Sequence, residues 1–150
     1  YVLWTKFGLT GGLSGLVLAY LGLTIPLNVW MLSIFIKEIP FELEEAAAID
    51  GCSYMRILWG IVVPLIKPGI SVTSVFTFRT AWNEFLLAII LSNRSTRTLP
   101  AAVSLMISDL GINWGQIMAM ATIIAIPAFI VTFACSKNLI TGMTAGAVKG

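Results

Sequence analysis

A chain of 150 residues with 58% hydrophobic side chains, only 11% charged ones and a mean hydropathy of +0.95 is not built like a water-soluble domain, in which roughly 25% of residues carry charge. A net charge of +2 is too small to suggest a nucleic-acid partner. With no histidine, the commonest general base and zinc ligand are missing, so neither a catalytic centre nor a metal site is expected.

The composition points to an all-α integral membrane protein. The chain begins at Tyr1, within an apolar stretch, and no signal peptide is visible. A fragment that lacks earlier spans is expected. Cys52 and Cys135 are isolated, which suits small-residue packing better than a disulfide.

A transmembrane helix needs about 20 apolar residues. The first is expected over about 13–36. Pro26 should bend it, as neighbouring helices in a membrane can satisfy the freed carbonyl.

A loop follows over about 37–67. Pro40 suits the first turn of a helix. Glu42, Glu44 and Glu45 favour a helix N-terminus, and Ala46, Ala47 and Ala48 are strong helix formers with little bulk. Gly51 suits the left-handed position that ends a helix. Ser53 can cap a second helix from Tyr54 to about Val63, with Pro64 and Pro68 breaking the backbone beyond it. The slim alanine helix could enter a groove on a partner, with Glu45 and Asp50 free to pair with arginines. The plainer alternative is an amphipathic hairpin lying on the membrane surface.

The second span is expected over about 69–91, carrying Arg79 and Glu84. A charge near the middle of a span costs at least about 2.5–3.5 kcal/mol, so Arg79 should face a bundle interior, a water cavity or a partner helix. Arg79 and Asn83, four apart, share a face. Glu84 falls on that of Thr80, so no direct Arg79–Glu84 bridge is expected. Arg79, Trp82, Asn83 and Glu84 are candidates for a translocation path. An aromatic face with amide and carboxylate groups suits a sugar. The same residues could equally pack and hydrogen-bond helices together.

The stretch from Ser92 to Asn113 is polar and then mixed, with a short helix expected from Pro100 to Ile107. The third span is expected over about 114–136. It has Pro127 inside and Ala119, Ala121, Ala125 and Ala128 to allow close helix contact. The 37–67 loop and C-terminal tail hold five Lys or Arg residues, against three in the 92–113 loop and N-terminal stub. This excess favours a cytoplasmic 37–67 loop and C-terminus. No GxxxxGK[ST] phosphate loop is present.

The order Glu45-Ala46-Ala47, three residues, Gly51, nine residues, then Ile61 and Pro64 resembles the EAA loop of binding-protein-dependent ABC importers. The segments AWNEFLLAIILSNRSTRTLPAAVSL and LITGMTAGAVKG look like the C-terminal half of sugar-importer permeases of the maltose type. Arg79 departs from the resemblance, at a position often apolar in that family.

The resemblance implies the type I importer (MetI-like) helical bundle, of which this chain would be the C-terminal part. It implies a multi-pass permease in a bacterial or archaeal cytoplasmic membrane, importing a carbohydrate by alternating access. Partners would be two ATP-binding subunits, a homologous companion permease and an extracytoplasmic solute-binding protein, which the 92–113 loop would contact. Glu45, Ala46, Ala47, Asp50 and Gly51 would couple to the ATPase. ATP and magnesium would bind the ATPase subunits, with no cofactor on this chain. Alternatives are a permease for another solute, such as a polyamine or phosphate, or an ion-coupled secondary transporter in which Arg79 and Glu84 act as coupling charges.

Overall fold

The computed structural model describes residues 1–108 and 111–145. Its helices are α1 (Val2–Lys6), α2 (Leu13–Lys37), α3 (Phe41–Ile49), α4 (Tyr54–Ile57), α5 (Val63–Leu65), α6 (Lys67–Asn83), α7 (Leu86–Leu91), α8 (Leu99–Val103) and α9 (Trp114–Ala145). A π turn, Leu58–Val62, joins α4 to α5, and a 3-10 turn, Ser104–Met106, follows α8. Strand structure among the described residues is one two-residue antiparallel pair, β1 (Ile107–Ser108) and β2 (Gly111–Ile112), with Ile107 opposite Ile112.

Among the described residues, two helices are long and apolar enough to cross a membrane, Leu13–Lys37 and Trp114–Cys135. The pair Tyr54–Leu65 and Lys67–Asn83, bent by 75°, qualifies as a third if taken as one broken span. Apolar side chains lie on every face of α2 and α9, as expected where lipid or partner helices replace water. Pro26 and Pro127 remain inside these helices. Hydroxyls fold back on their own turns: Thr24 Oγ1 donates to Tyr20 O at 2.8 Å, Thr122 Oγ1 to Met118 O at 2.9 Å and Thr132 Oγ1 to Ala128 O at 2.7 Å. That satisfies them without water.

Several expected boundaries shift, each for a local reason. The run expected over 69–91 breaks after Asn83, leaving Glu84 and Phe85 outside any helix. The Glu84 carboxylate accepts hydrogen bonds from the amides of Leu87 and Ala88, at 2.9 and 3.0 Å, and so starts α7. Pro40 stands at the N-cap of α3 rather than in its first turn, and Ser53 at the N-cap of α4 makes no side-chain cap bond. The helix expected over Tyr54–Val63 widens into the π turn. Pro64 lacks an amide proton and its ring crowds the carbonyl four residues back, which the wider turn relieves. The helix expected over Pro100–Ile107 ends at Val103, where Ser104 Oγ donates to Ala101 O at 2.8 Å and the backbone tightens. α9 continues past residue 136 to Ala145, with no further proline to stop it.

The chain divides into two compact units. The first holds Tyr1–Ile25 and Thr77–Phe133. Its core is Leu16, Ala88, Leu91 and Ala101, backed by Trp4, Ala19, Tyr20 and Leu87. Ala88 and Ala101 are 0% exposed, small residues that let backbones approach closely. Trp4 Nε1 donates to Gly15 O at 3.0 Å. Gly11 N donates to Leu91 O at 2.7 Å and Thr96 Oγ1 to Gly11 O at 3.0 Å, tying the segment before α2 to the loop after α7.

The second unit holds Pro26–Phe76 and the chain from Ala134. Its core is Ala47, Ile57, Val62 and Ile66, packed by Leu32, Phe35, Ile39 and Cys52. The helices on either side of Ile66 bend sharply there, with Pro64 and Pro68 flanking the break.

Gly15 and Gly22 lie on the same helix but differ in surroundings. A Cβ at Gly15 would run into the backbone carbonyl of Leu9, whereas one at Gly22 meets nothing within 4 Å. Gly15→Ala should lower stability by about 1–3 kcal/mol. Gly22→Ala should leave it unchanged or slightly raised. Thermal unfolding of the full-length protein in detergent checks both.

Candidate functional site

The first candidate surface is the α3–α4 corner. α3 ends in two backbone bonds: Gly51 N donates to Ala48 O and Cys52 N to Ala47 O, both at 3.0 Å. This is the Schellman closure, which needs a left-handed residue after the cap. Gly51 supplies it at φ 78°. Ala47 turns inward onto Ile57, Val62 and Ile66, with Cys52 packed alongside. Glu45, Ala46, Asp50 and Gly51 face outward.

Two large apolar residues flank the turn and are almost wholly bare, Ile49 at 86% and Tyr54 at 92% exposed, and Phe41 is also exposed. Carboxylates beside bare apolar groups on a compact corner make a surface suited to a protein partner. Sequence reasoning singled out the acids, alanines and glycine and missed Ile49 and Tyr54. Their signal was position: bulky apolar residues two before and three after Gly51 in a polar stretch.

The second candidate region lies in the first unit. Here the structure separates Arg79, Trp82, Asn83 and Glu84. Arg79 and Asn83 share a face of α6, with Asn83 Nδ2 donating to Arg79 O at 2.9 Å. They line a cavity of about 390 Å³ with Ala125, Ala128, Phe129 and Thr132 of α9. Trp82 is held elsewhere. Its Nε1 donates to Ile124 O at 3.0 Å, and its ring stacks on Phe78 with centroids 5.5 Å apart. It lines a second cavity of about 270 Å³ with Ala81, Arg97, Thr98, Leu99 and Pro100.

Glu84 lines neither cavity. Both its oxygens cap α7, and its charge lies beside the Tyr20 hydroxyl. The face expected to join Thr80 and Glu84 does not form, because Glu84 is outside the helix. Arg97 Nε and Thr98 Oγ1 are buried without a hydrogen-bond partner among the described residues. Leaving such a group unpaired costs about 1–3 kcal/mol. Sequence reasoning counted Arg97 as loop charge and did not consider Thr98.

Long apolar helices with breaks sealed by local hydrogen bonds define a helical integral membrane protein. The family described as "Binding-protein-dependent transport system inner membrane component" matches residues 1–144, and the chain belongs to it. It is similar to the diacetylchitobiose uptake system permease protein of Streptomyces coelicolor, 34% identical over 100% of this chain and 55% of the relative. The trehalose/maltose transport system permease protein of Thermococcus litoralis is 35% identical over 97% of this chain and 53% of its own length. A probable starch degradation products transport system permease protein of Thermoanaerobacterium thermosulfurigenes is 39% identical over 91% and 50%. The chain thus spans about half the length of the curated relatives it matches.

The capping role of Glu84 is open to test. Glu84→Ala releases two amide protons and should cost about 0.5–2 kcal/mol. Glu84→Gln keeps one acceptor and should cost less. The check is thermal unfolding in detergent.

Proposed function

We propose that this chain is part of the transmembrane permease subunit of an ATP-driven, binding-protein-dependent importer for a carbohydrate. The observation that carries the reading is the α3–Gly51–α4 corner, a rigid and partner-ready surface in an otherwise apolar chain. The similar permeases serve uptake systems named for diacetylchitobiose, trehalose/maltose and starch degradation products, which favours a sugar over a polyamine or phosphate.

In this reading the 37–67 loop lies on the cytoplasmic side of a bacterial or archaeal inner membrane crossed several times. The corner docks on one of two ATP-binding subunits, which carry ATP and magnesium. Glu45 and Asp50 pair with basic groups there, while Ile49 and Tyr54 fill apolar recesses. Ala46 keeps the outer face of α3 slim. Ala47 acts from inside, fixing α3 against α4. Closure of the ATPase pair draws the corner with it, and the bend at Ile66 passes that motion to α6. The chain performs no chemistry of its own. A companion permease completes the pathway, and a solute-binding protein delivers the sugar to the outer side, near the 92–113 loop. Arg79 and Asn83 face the pathway from α6.

Glu45→Lys tests the corner. In the full-length permease, co-purified in mild detergent, the substitution should strip bound ATPase subunits while membrane insertion stays normal. Undiminished ATPase recovery and ATP-driven uptake would overturn the docking role. Arg79→Leu should lower uptake several-fold with insertion unchanged, since an arginine in apolar surroundings is retained at a cost. Unaltered uptake kinetics would leave Arg79 a packing residue.

A further inference from the structure

Charge is segregated over residues 38–67. The first part, to Asp50, carries Glu38, Glu42, Glu44, Glu45 and Asp50 and no cation. The second, from Gly51, carries Arg56 and Lys67 and no acid. This basic half also has a bare apolar side. Ile57, Val62 and Ile66 turn inward onto Ala47. Met55 and Trp59, four apart and so neighbours on one side of the helix, are 68% and 67% exposed, and Leu58 and Leu65 are exposed as well. Arg56 and Lys67 stand exposed near the two ends of the segment.

The bend at Ile66 decides what this side meets. Tyr54–Leu65 and Lys67–Asn83 lie at 75° to one another. Helices that cross a membrane tilt on average about 20° from the bilayer normal. With α6 entering the bilayer at that tilt, Tyr54–Leu65 lies within about 35° of the membrane plane. A helix in that plane, apolar and aromatic on one side with basic groups beside it, has the anatomy of an interfacial segment. Tryptophan suits that depth, with an apolar ring and a polar N–H. The anionic lipids of a cytoplasmic leaflet attract Arg and Lys and repel the carboxylates of α3, so the two halves of the corner sort to different surroundings.

We propose that Met55, Arg56, Trp59 and Lys67 form a lipid-contact surface that seats the basic half of the loop on the anionic headgroups of the cytoplasmic leaflet. It rests on the cytoplasmic placement of the 37–67 loop in the import reading, and on no particular solute. Met55 and Trp59 enter the boundary between headgroups and acyl chains. The Arg56 guanidinium and the Lys67 ammonium bind lipid phosphates. The acidic half of the corner then faces the aqueous side, where the ATPase docks, while lipid holds the basic half. Anionic lipid thereby sets the height at which α3 is presented.

The test uses the full-length permease with its companion and ATPase subunits in lipid nanodiscs. Phosphatidylcholine brominated high on its acyl chains quenches tryptophan at that depth, and it should quench a smaller share of the fluorescence in Trp59→Phe than in wild type. Adding phosphatidylglycerol to phosphatidylcholine discs should raise the thermal midpoint of the wild-type complex by several degrees. Arg56→Gln combined with Lys67→Gln should lose at least half of that rise, and Arg56→Lys combined with Lys67→Arg should keep it. Equal quenching in Trp59→Phe, or an undiminished phosphatidylglycerol response in the double glutamine variant, would overturn the surface. A double glutamine variant that sheds ATPase subunits with its lipid response intact would also overturn it, assigning these residues to a protein contact. Both readouts are taken without solute. A complex that passes them yet carries no sugar in proteoliposomes would therefore sink the carbohydrate reading alone, and one that imports sugar but fails them would sink the lipid surface alone.

Discussion

In a membrane no water is at hand for a backbone amide or carbonyl that loses its helical partner, and each such group left alone costs several kcal/mol. Much of this structure follows from that constraint. An uninterrupted helix satisfies nearly all its own backbone groups, and α2 and α9 continue through Pro26 and Pro127, each of which frees one carbonyl. At several turns the freed groups are taken up within a few residues, and at Gly11 they are taken up by the loop after α7. Gly51 and Cys52 close the end of α3 on Ala48 and Ala47. Glu84 takes two amides at the start of α7. The Asn93 side chain accepts from Ser95 N and Thr96 N at 2.9 and 3.1 Å, in the turn beyond it. Against that pattern, the Tyr20 hydroxyl, Arg97 Nε and Thr98 Oγ1 are buried side-chain groups without a hydrogen-bond partner among the described residues.

How much of this was legible in the sequence depends on how local each cause is. Gly51 was readable because a left-handed turn after three alanines and an aspartate has few other occupants. The apolar helices were readable from length and composition. The break at Glu84 was not. Nothing in WNEFLL is a helix breaker, and the same carboxylate could sit on the surface of a continuous helix. The structure instead spends it on two amides. The three alanines were indistinguishable by type. Ala47 faces inward because Ile57 and Val62 return to pack on it, a contact made across the turn.

Trp82 shows how residues adjacent in order can part in space. Sequence spacing grouped it with Arg79, Asn83 and Glu84 because they are neighbours in order. On a helix, consecutive residues point about 100° apart. Trp82 accordingly lines one cavity and its neighbour Asn83 another. The residues that share its cavity, Arg97 and Thr98, come from a loop tied back by the Leu91–Gly11 and Thr96–Gly11 bonds. No pattern along α6 could announce them.

The double closure at Gly51 also governs stiffness. A glycine hinge held by nothing would be the softest point of the corner, and a push on α3 would be absorbed there as a change of angle. With two hydrogen bonds across the turn and Ala47 packed against Ile57, the angle between the two short helices is fixed from both sides. The sharp change of direction comes instead at Ile66, where one residue separates helices meeting at 75° between two prolines. The glycine that is most flexible by chemistry is thereby held by bonds on both sides, and the sharpest bend lies fifteen residues further along the chain.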